Sequence, residues 1–281
     1  MSTSLTSTTG AVFNPAITSK RIIDIREANL GFEGTVSTQY LDEAGVGTTI
    51  AWPVITAFSA AAKSEGNSGN DITFTGNTES SVTLTINQHQ YAAFELEEFE
   101  AGLSLHDQEE IYTRRAAYAV NLAVDDTLAA LVDNASQIVG TLAVDLTDDD
   151  VRRGDQYLND GDHPMDDRFF AMAPATKNSM LSIDRYASSD FNRNGGADIV
   201  KGQFGDIYGL TAWVSTNVEG SNAAGHDNGI YHRDFIALGM RRAPRVRTED
   251  DIDNLSKKVA CSAIWGVIET RDSAGVFARG A

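Results

Sequence analysis

In the stretch Ser81-Val-Thr-Leu-Thr-Ile-Asn-Gln88, Val82, Leu84 and Ile86 alternate with Thr83, Thr85 and Asn87. A side-chain period of two places the three apolar residues on one face of a strand. Upstream, Thr48-Thr-Ile-Ala-Trp-Pro-Val-Ile-Thr56 is rich in β-branched residues, and Pro53 confines it to an edge or bulged strand. Between them, Ala60 to Asn70 is small, polar and glycine-containing, which reads as a loop tip, and Ile72-Thr-Phe-Thr75 begins the return. Residues 48–90 are therefore expected to form a long two-stranded excursion. A ribbon of two strands is marginal in water and requires a surface to lie on.

Outward from the ribbon, residues 1–20 are rich in Ser, Thr, Ala and Gly without periodicity and read as an extended arm, and 19–29 as a short helix or strand. Downstream, Ser104 with Asp107 opens a capped helix, and Ile111, Tyr118, Leu122, Ala129 and Val132 recur at spacings of 7, 4, 7 and 3. Val120, Val124, Leu128 and Leu131 widen that face. A helix over 104–134 would be about 45 Å long at 1.5 Å per residue, far beyond the usual globular length. Residues 140–281 read as mixed α/β: a Thr147-capped helix through Asn159, a strand at Arg168–Ala173, and a helix from Pro174 through Tyr186. A loop over 187–206 and strands at 208–216, 230–240 and 259–270 follow.

Charge and composition remove several function classes. Acids outnumber bases 40 to 22, for a net charge of −18. A nucleic-acid reader gathers Lys and Arg to neutralise phosphates, so sequence-specific DNA binding is not expected. A container wall that must not cling to DNA is compatible with this acidity. No apolar run is long enough to cross a bilayer as a helix, and the N-terminus carries no signal-peptide pattern. The lone Cys261 lies in Val259-Ala-Cys-Ser-Ala-Ile-Trp265 and reads as a buried small hydrophobe. Histidines 89, 106, 163, 226 and 232 have no metal-site spacing and read as surface or strand-end residues. Asp148-Asp-Asp150 reads as the acidic first turn of a capped helix, and Asp160-Gly-Asp162 as a turn. Gly202, Gly205 and Gly209 do not fit a dinucleotide fingerprint. No catalytic, metal-binding or cofactor-binding residue is expected, and the chain is not read as an enzyme.

The order of these elements resembles a known family. A ribbon, the run Val82-Thr-Leu-Thr-Ile-Asn-Gln-His-Gln-Tyr-Ala-Ala-Phe-Glu95, and an acidic step at Glu97, Glu98 and Glu100 lead into a long helix containing Leu122-Ala-Val-Asp-Asp-Thr-Leu128. With Gly202-Gln-Phe-Gly-Asp-Ile-Tyr-Gly-Leu-Thr-Ala-Trp-Val-Ser-Thr-Asn217, the chain resembles the tailed-bacteriophage major capsid proteins over roughly 20–275. The resemblance implies an α+β chain of the Hong Kong 97-type fold: N-arm 1–45, extended β-hairpin E-loop 46–92, and a peripheral domain over 93–139 with its spine helix. An axial domain over 140–242 and peripheral strands with the C-terminus over 243–281 complete it.

The implied function is a shell subunit assembling as pentamers and hexamers into an icosahedral virion capsid around double-stranded DNA. Assembly would take place in the host bacterial cytoplasm, with a portal protein, a separate scaffolding protein and a decoration protein as partners, and no membrane or cofactor. Interface candidates are Trp52, Lys63, Glu65 and Phe74 on the ribbon, Glu97 and Glu98 on the acidic step, and the basic cluster Arg241, Arg242, Arg245 and Arg247. Acidic and basic clusters would set register across subunits, or would be two solvated faces. Some relatives cross-link a ribbon lysine to a neighbour's asparagine. Lys63 and Asn254 are the corresponding types here, but that reaction needs a buried carboxylate which the sequence does not assign, so Lys63 is read as solvated. The competing readings are an encapsulin-like compartment shell and a soluble α/β enzyme.

Overall fold

A computed structural model describes residues 28, 30–38, 47–55, 58–63, 74, 76, 79–103, 108–183, 206–221 and 224–280. The alternation around Leu84 produces the expected ribbon: β1 (Thr49–Ile55) pairs antiparallel with β2 (Glu79–Thr85), Thr49 opposite Thr85 and Ile55 opposite Glu79. The two-stranded part closes at Thr85, earlier than expected. Gln88–Glu97 is a further strand, β3, which joins a three-stranded sheet in the order β10–β11–β3, where β10 is Ile236–Asp251 and β11 is Ser256–Glu269. Of the expected return, Ile72, Thr73 and Thr75 lie outside the described residues, and Phe74 belongs to no strand.

Two helices, α1 (Phe32–Thr35) and α2 (Glu98–Leu103), precede the long α3 (Gln108–Ala129). Ser104 and Asp107 lie outside the described residues. Helix α3 is 22 residues, about 33 Å, and stops short of the expected Asn134. Its last turn tightens through Leu131 N–H to Leu128 O, and a 3-10 turn at Val132–Asn134 follows. The physical reason is packing, because buried Val132 lies over Gly229 in the body. The inward face keeps the expected Val120, Val124, Leu128, Ala129 and Val132, all buried, and departs from expectation at Ile111, Tyr118 and Leu122. Ala116, Val120, Val124 and Leu128, each four residues on, are buried, whereas Ile111, Tyr118 and Leu122 are half-buried. Full burial of a Val or Leu contributes roughly 1.5–3 kcal/mol, so the continuous 116–128 row outweighs the looser one. It packs on Cys261, Ala263 and Trp265 of β11, where Trp265 Nε1 donates to Thr127 Oγ1 at 3.0 Å.

The second sheet contains, among the described residues, β4 (Gln137–Gly140), β5 (Arg168–Met172), β6 (Asp206–Ile207), β7 (Leu210–Val214), β8 (Gly220–Ser221), β9 (Gly225–His232) and β12 (Gly275–Gly280). Its order is β4–β12–β9–β5–β7–β6, with β8 on β9. Helix α4 (Asp148–Asp160) covers it through Val151 and Leu158, packed against Phe170, Met172, Ile230 and Val276. Thr147 and Asp150 make the expected reciprocal capping box. Helix α5 (Pro174–Met180) starts at the expected proline but ends at Met180; Tyr186 lies outside the described residues. The expected 208–216 strand is shorter, because Tyr208 (φ 53°) and Gly209 (φ 81°) form the β6–β7 turn. The expected single strand 230–240 is two. After His232 the chain turns through Arg233–Phe235, closed by Phe235 N–H to His232 O at 2.9 Å, and enters the other sheet as β10.

An N-terminal strap crosses α3. The buried Asp125 carboxylate accepts from Gly31 N–H at 3.2 Å, Phe32 N–H at 2.9 Å and Asn217 Nδ2 at 2.7 Å. Phe32 meets Trp213 edge-to-face at 4.7 Å, and Ser37 bridges to Ala237.

The ribbon root is seated by two glycines. Gly239 and Gly266 face each other across β10 and β11. A Cβ at Gly239 would run into Leu84, and one at Gly266 would lie 2.9 Å from Ile86 Cα and closer still to the Thr85 carbonyl oxygen. Leu84 is 0% exposed and Ile86 9%. Gly266→Val should lower stability by about 1–3 kcal/mol through overpacking and make the ribbon more protease-sensitive. Thermal melting and limited trypsin digestion measure both, and an unchanged melt with unchanged digestion would sink this account of the seat.

Candidate assembly surface

Residues facing each other on β1 and β2 divide the ribbon into two sides. Ile50, Trp52 and Val54 with Leu84, Val82 and Ser80 look toward the body, whereas Thr49, Ala51, Pro53 and Ile55 with Thr85, Thr83, Ser81 and Glu79 look away. Burial falls along the body-facing side from Leu84 at the root, through half-buried Trp52 and Val82, to Val54 at 44% exposure. Farther out, Ile55 is 65% exposed, Phe58 75% and Phe74 91%. The ribbon is thus anchored in its own chain at one end and bare at the other. Lys63 is exposed, and Glu65 lies outside the described residues. The expectation of a strand pair with no intrachain support holds only for the distal part.

Between ribbon and body lies a crevice of about 670 Å3, with Trp52, Val54 and Val82 above and Ser37, Asp234, Thr270 and Arg271 below. Its floor is the place where the chain passes twice between the two sheets, at Arg233–Phe235 and at Thr270–Ala274. Thr270 N–H donates to Phe235 O at 2.8 Å, tying the crossings together.

His232 ends β9, in keeping with the strand-end reading, whereas His163 is neither at the surface nor at a strand end; both are buried beside these crossings, with rings stacked at 5.9 Å. His163 Nε2 lies 3.0 Å from Ser273 Oγ, and Asp234 N–H donates to His232 Nδ1 at 3.2 Å. Buried Arg168 donates to Asp155 at 2.6 Å and to the His163 and Pro164 carbonyls at 2.7 Å. Burial, followed by His232, Arg271 and Arg168, pushes the His163 imidazole below its ordinary value, with Asp234 opposing. Glu269, pushed up by burial and then by Asp272, shifts in the other sense. His226 is also buried, His89 is exposed, and His106 lies outside the described residues.

Helix α3 covers one side of the three-stranded sheet, and β2 covers the root end of the other. Beyond the root, the uncovered side presents rows read from strand pairing: Arg245, Ser262 and Tyr91; Arg247, Ala260 and Ala93; Glu249, Lys258 and Glu95; Asp251, Ser256 and Glu97. Tyr91 is 74% exposed. The basic and acidic clusters of the sequence therefore lie on the two opposite edge strands, β10 and β3, with Glu98 just past β3. Arg241 is engaged within the chain, donating to Gly47 O at 2.8 Å. Arg242, Arg245, Arg247, Glu97 and Glu98 are exposed.

At the β10–β11 turn, Asn254 Nδ2 donates to Asp251 Oδ2 at 3.0 Å, and Lys258 Nζ also binds Asp251. The Lys258 hydrogen bond is the main reason that Asp251 is held below the usual carboxylate range, and Lys258 is raised in return. The carboxylate beside Asn254 is therefore a solvent-side, ion-paired one. Cys261 is 1% exposed, and burial pushes its thiol up, as expected for a core cysteine.

No protein-family model matches the chain, and no curated protein matches its sequence. Solved structures do match. One from Mycobacterium phage Che8 has a TM-score of 0.83 at 17% identity, over 95% of this chain and 97% of that one. The capsid structure of cyanophage P-SCSP1u gives 0.79 at 12% identity, over 97% and 94%. The asymmetric unit of the bacteriophage PhiM1 mature capsid gives 0.74 at 12%, over 95% and 91%. The chain shares the mixed α/β fold of these phage structures, two of them capsids, along nearly its whole length.

Sequence reasoning did not single out Gly239, Gly266, Asp125 or the histidine pair. The glycines carried a local signal, since each is a single glycine inside an apolar strand run, which marks close backbone approach. The histidine pair yields a pH test. A histidine held below its ordinary value of 6.5 takes up its proton later in the folded chain than in the unfolded one. Its contribution is complete above that pH and is lost as the pH falls below it. The urea midpoint of the native chain should drop more steeply between pH 7.5 and 5 than that of His163→Gln. Parallel curves for the two would remove the assignment.

Proposed function

We propose that the chain is the major capsid protein of a tailed bacteriophage, a subunit that builds the icosahedral head shell around double-stranded DNA. The observation that carries the reading is the ribbon. Its root is locked to its own sheet at Gly239 and Gly266, while Val54 and Ile55 stand exposed on a strand pair too thin to bury them, and Phe58 and Phe74 are exposed beyond it. Such a ribbon is completed by the surface of another copy. The likeness in fold to phage capsid structures over nearly the whole chain supports that partner.

In this reading β1–β2 is the E-loop of a Hong Kong 97-type subunit, within 46–92, and α3 is the spine helix. The N-arm occupies 1–45. The three-stranded sheet and α3 form the peripheral domain, over 93–139 and from 243. The axial domain, 140–242, is built on the second sheet, to which β12 returns from the C-terminal segment. Pentamers and hexamers of the chain close the shell, with a portal, a separate scaffolding protein and a decoration protein as further partners. The net charge of −18 keeps a DNA container from binding its contents tightly. The subunit's place is the virion, and its work is mechanical rather than catalytic. Trp52, Lys63, Phe74, Glu97 and Glu98 remain interface assignments within it.

The chain, expressed together with the product of its upstream gene, should yield closed particles of uniform diameter by negative-stain electron microscopy and sedimentation. Val54→Asp with Ile55→Asp should leave the melting temperature of the unassembled chain within about 1 °C, because surface substitutions cost little, yet reduce particle yield at least about tenfold, since each charge would be buried at a contact. A native chain that stays in small oligomers under all such conditions would overturn the shell reading.

A further inference from the structure

The outer edge of β10 contains a symmetry that the shell reading does not use. Pairing with β11 slips between Met240 and Arg242 and again between Arg242 and Arg245, then runs unbroken from Arg245 to Asp251. Residues 245–250 of this regular stretch are exposed, and no described strand pairs with the other side of β10. The sequence there is Arg245-Val-Arg-Thr-Glu-Asp-Asp251. Arg247 and Glu249 flank Thr248, and Arg245 and Asp251 stand two residues farther out on either side.

We propose that this edge pairs antiparallel with the same edge of a second copy, about a two-fold axis midway between the two Thr248 residues, joining two three-stranded sheets into one of six. The proposal rests on the shell reading above and specifies one of its contacts. Such an axis, normal to the sheet, keeps both α3 helices on the same side, as a wall with an inner and an outer surface requires. It also keeps each side chain on its own side of the sheet, so facing residues have matching alternation and the axis must lie midway between a residue and its own copy. Charge then selects the residue. An axis at Val246 sets Arg245 against Arg247, and axes at Arg245 or Arg247 set an arginine against itself. Axes at Glu249 or Asp250 bring carboxylates together, Glu249 with itself or Glu249 with Asp251. Only Thr248 aligns Arg247 with Glu249 and Arg245 with Asp251, each twice by symmetry.

Edge strands are commonly protected by charge, and a run of one sign repels a second copy along its whole length. This edge reverses sign at its midpoint and attracts one. The protective features stand elsewhere on the strand, where Pro244 and both register slips precede Arg245. Exposed ion pairs contribute little affinity individually, so their effect here is to set register and to disfavour misaligned encounters.

Thr248→Cys tests the geometry, because facing residues of an antiparallel pair lie within disulfide reach. The only native cysteine, Cys261, is 1% exposed and does not compete. Assembled Thr248→Cys chain, treated with a mild oxidant, should run mostly as a disulfide dimer on a non-reducing gel. Arg247→Glu and Glu249→Arg should each reduce particle yield at least tenfold at low salt, and the double exchange should restore it to within twofold. Particles that form while Thr248→Cys stays monomeric, or single reversals that assemble like the native chain, would overturn the pairing and leave the shell reading intact. A native chain that forms no particles would overturn the shell reading and this contact with it.

Discussion

The Leu84 side chain rests on the bare backbone of Gly239 and the Thr85–Ile86 backbone on that of Gly266, and the rest of the architecture depends on that approach. A Cβ on either residue would displace Leu84 or the backbone at Thr85 and Ile86. Because it is absent, the root of a two-stranded ribbon lies directly on the three-stranded sheet and buries Leu84 and Ile86. Without that seat the ribbon would be a tethered hairpin with little stability of its own. With it, the ribbon is a cantilever whose root direction is fixed by the body while its exposed distal part remains available to a partner.

Rigidity behind the cantilever comes from continuity between the two sheets. Strands β9 and β12 face each other in one sheet, with Gly275 opposite Tyr231. The same two chain segments face each other again in the other sheet, with Ile236 opposite Glu269. Only the turn at Arg233–Phe235 and the 3-10 turn at Asp272–Ala274 intervene. The stacked histidines and Arg168 lie beside this double crossing, where His163 meets Ser273 and the Asp234 amide donates to His232. Asp125 performs the corresponding task on the far side of α3, where one carboxylate satisfies two strap amides and Asn217. Removing a buried acceptor of this kind leaves several donors unpaired at once, which is why it ties the strap more firmly than apolar contact alone would.

Elements governed by local signals were legible in the sequence. Val82, Leu84 and Ile86 declared a strand and its buried side, Thr147 with Asp150 declared a helix start, and Pro174 another. What local signals could not supply was decided by contacts distant in sequence. The break after His232 falls at Arg233-Asp-Phe235, without glycine or proline to mark it; it exists because the strand leaves one sheet for another. The end of α3 is set by Val132 packing over Gly229, and its inward side by where β11 presents Cys261, Ala263 and Trp265. The histidines lack any spacing pattern because their proximity is created by the fold. For the interface candidates, the sequence identified charge clusters but not that they lie on opposite edges of one sheet.

That placement bears on how a shell made of such subunits can close. A large assembly that forms correctly needs contacts weak enough to be undone when misplaced, and specific enough to prefer one arrangement. Exposed charges on the sheet edges meet the first requirement, because each ion pair contributes at most about 1 kcal/mol in water. Their order along β10 meets the second, since register errors bring like charges together. The large apolar side chains of the ribbon have the opposite character: exposed Phe58, Ile55 and Phe74 gain stability only once covered, and they gain it without regard to register. Separating the two roles on different elements lets alignment be set by the edges before adhesion is completed by the ribbon. An edge that was itself apolar would merge the roles and favour irregular aggregates over a closed surface.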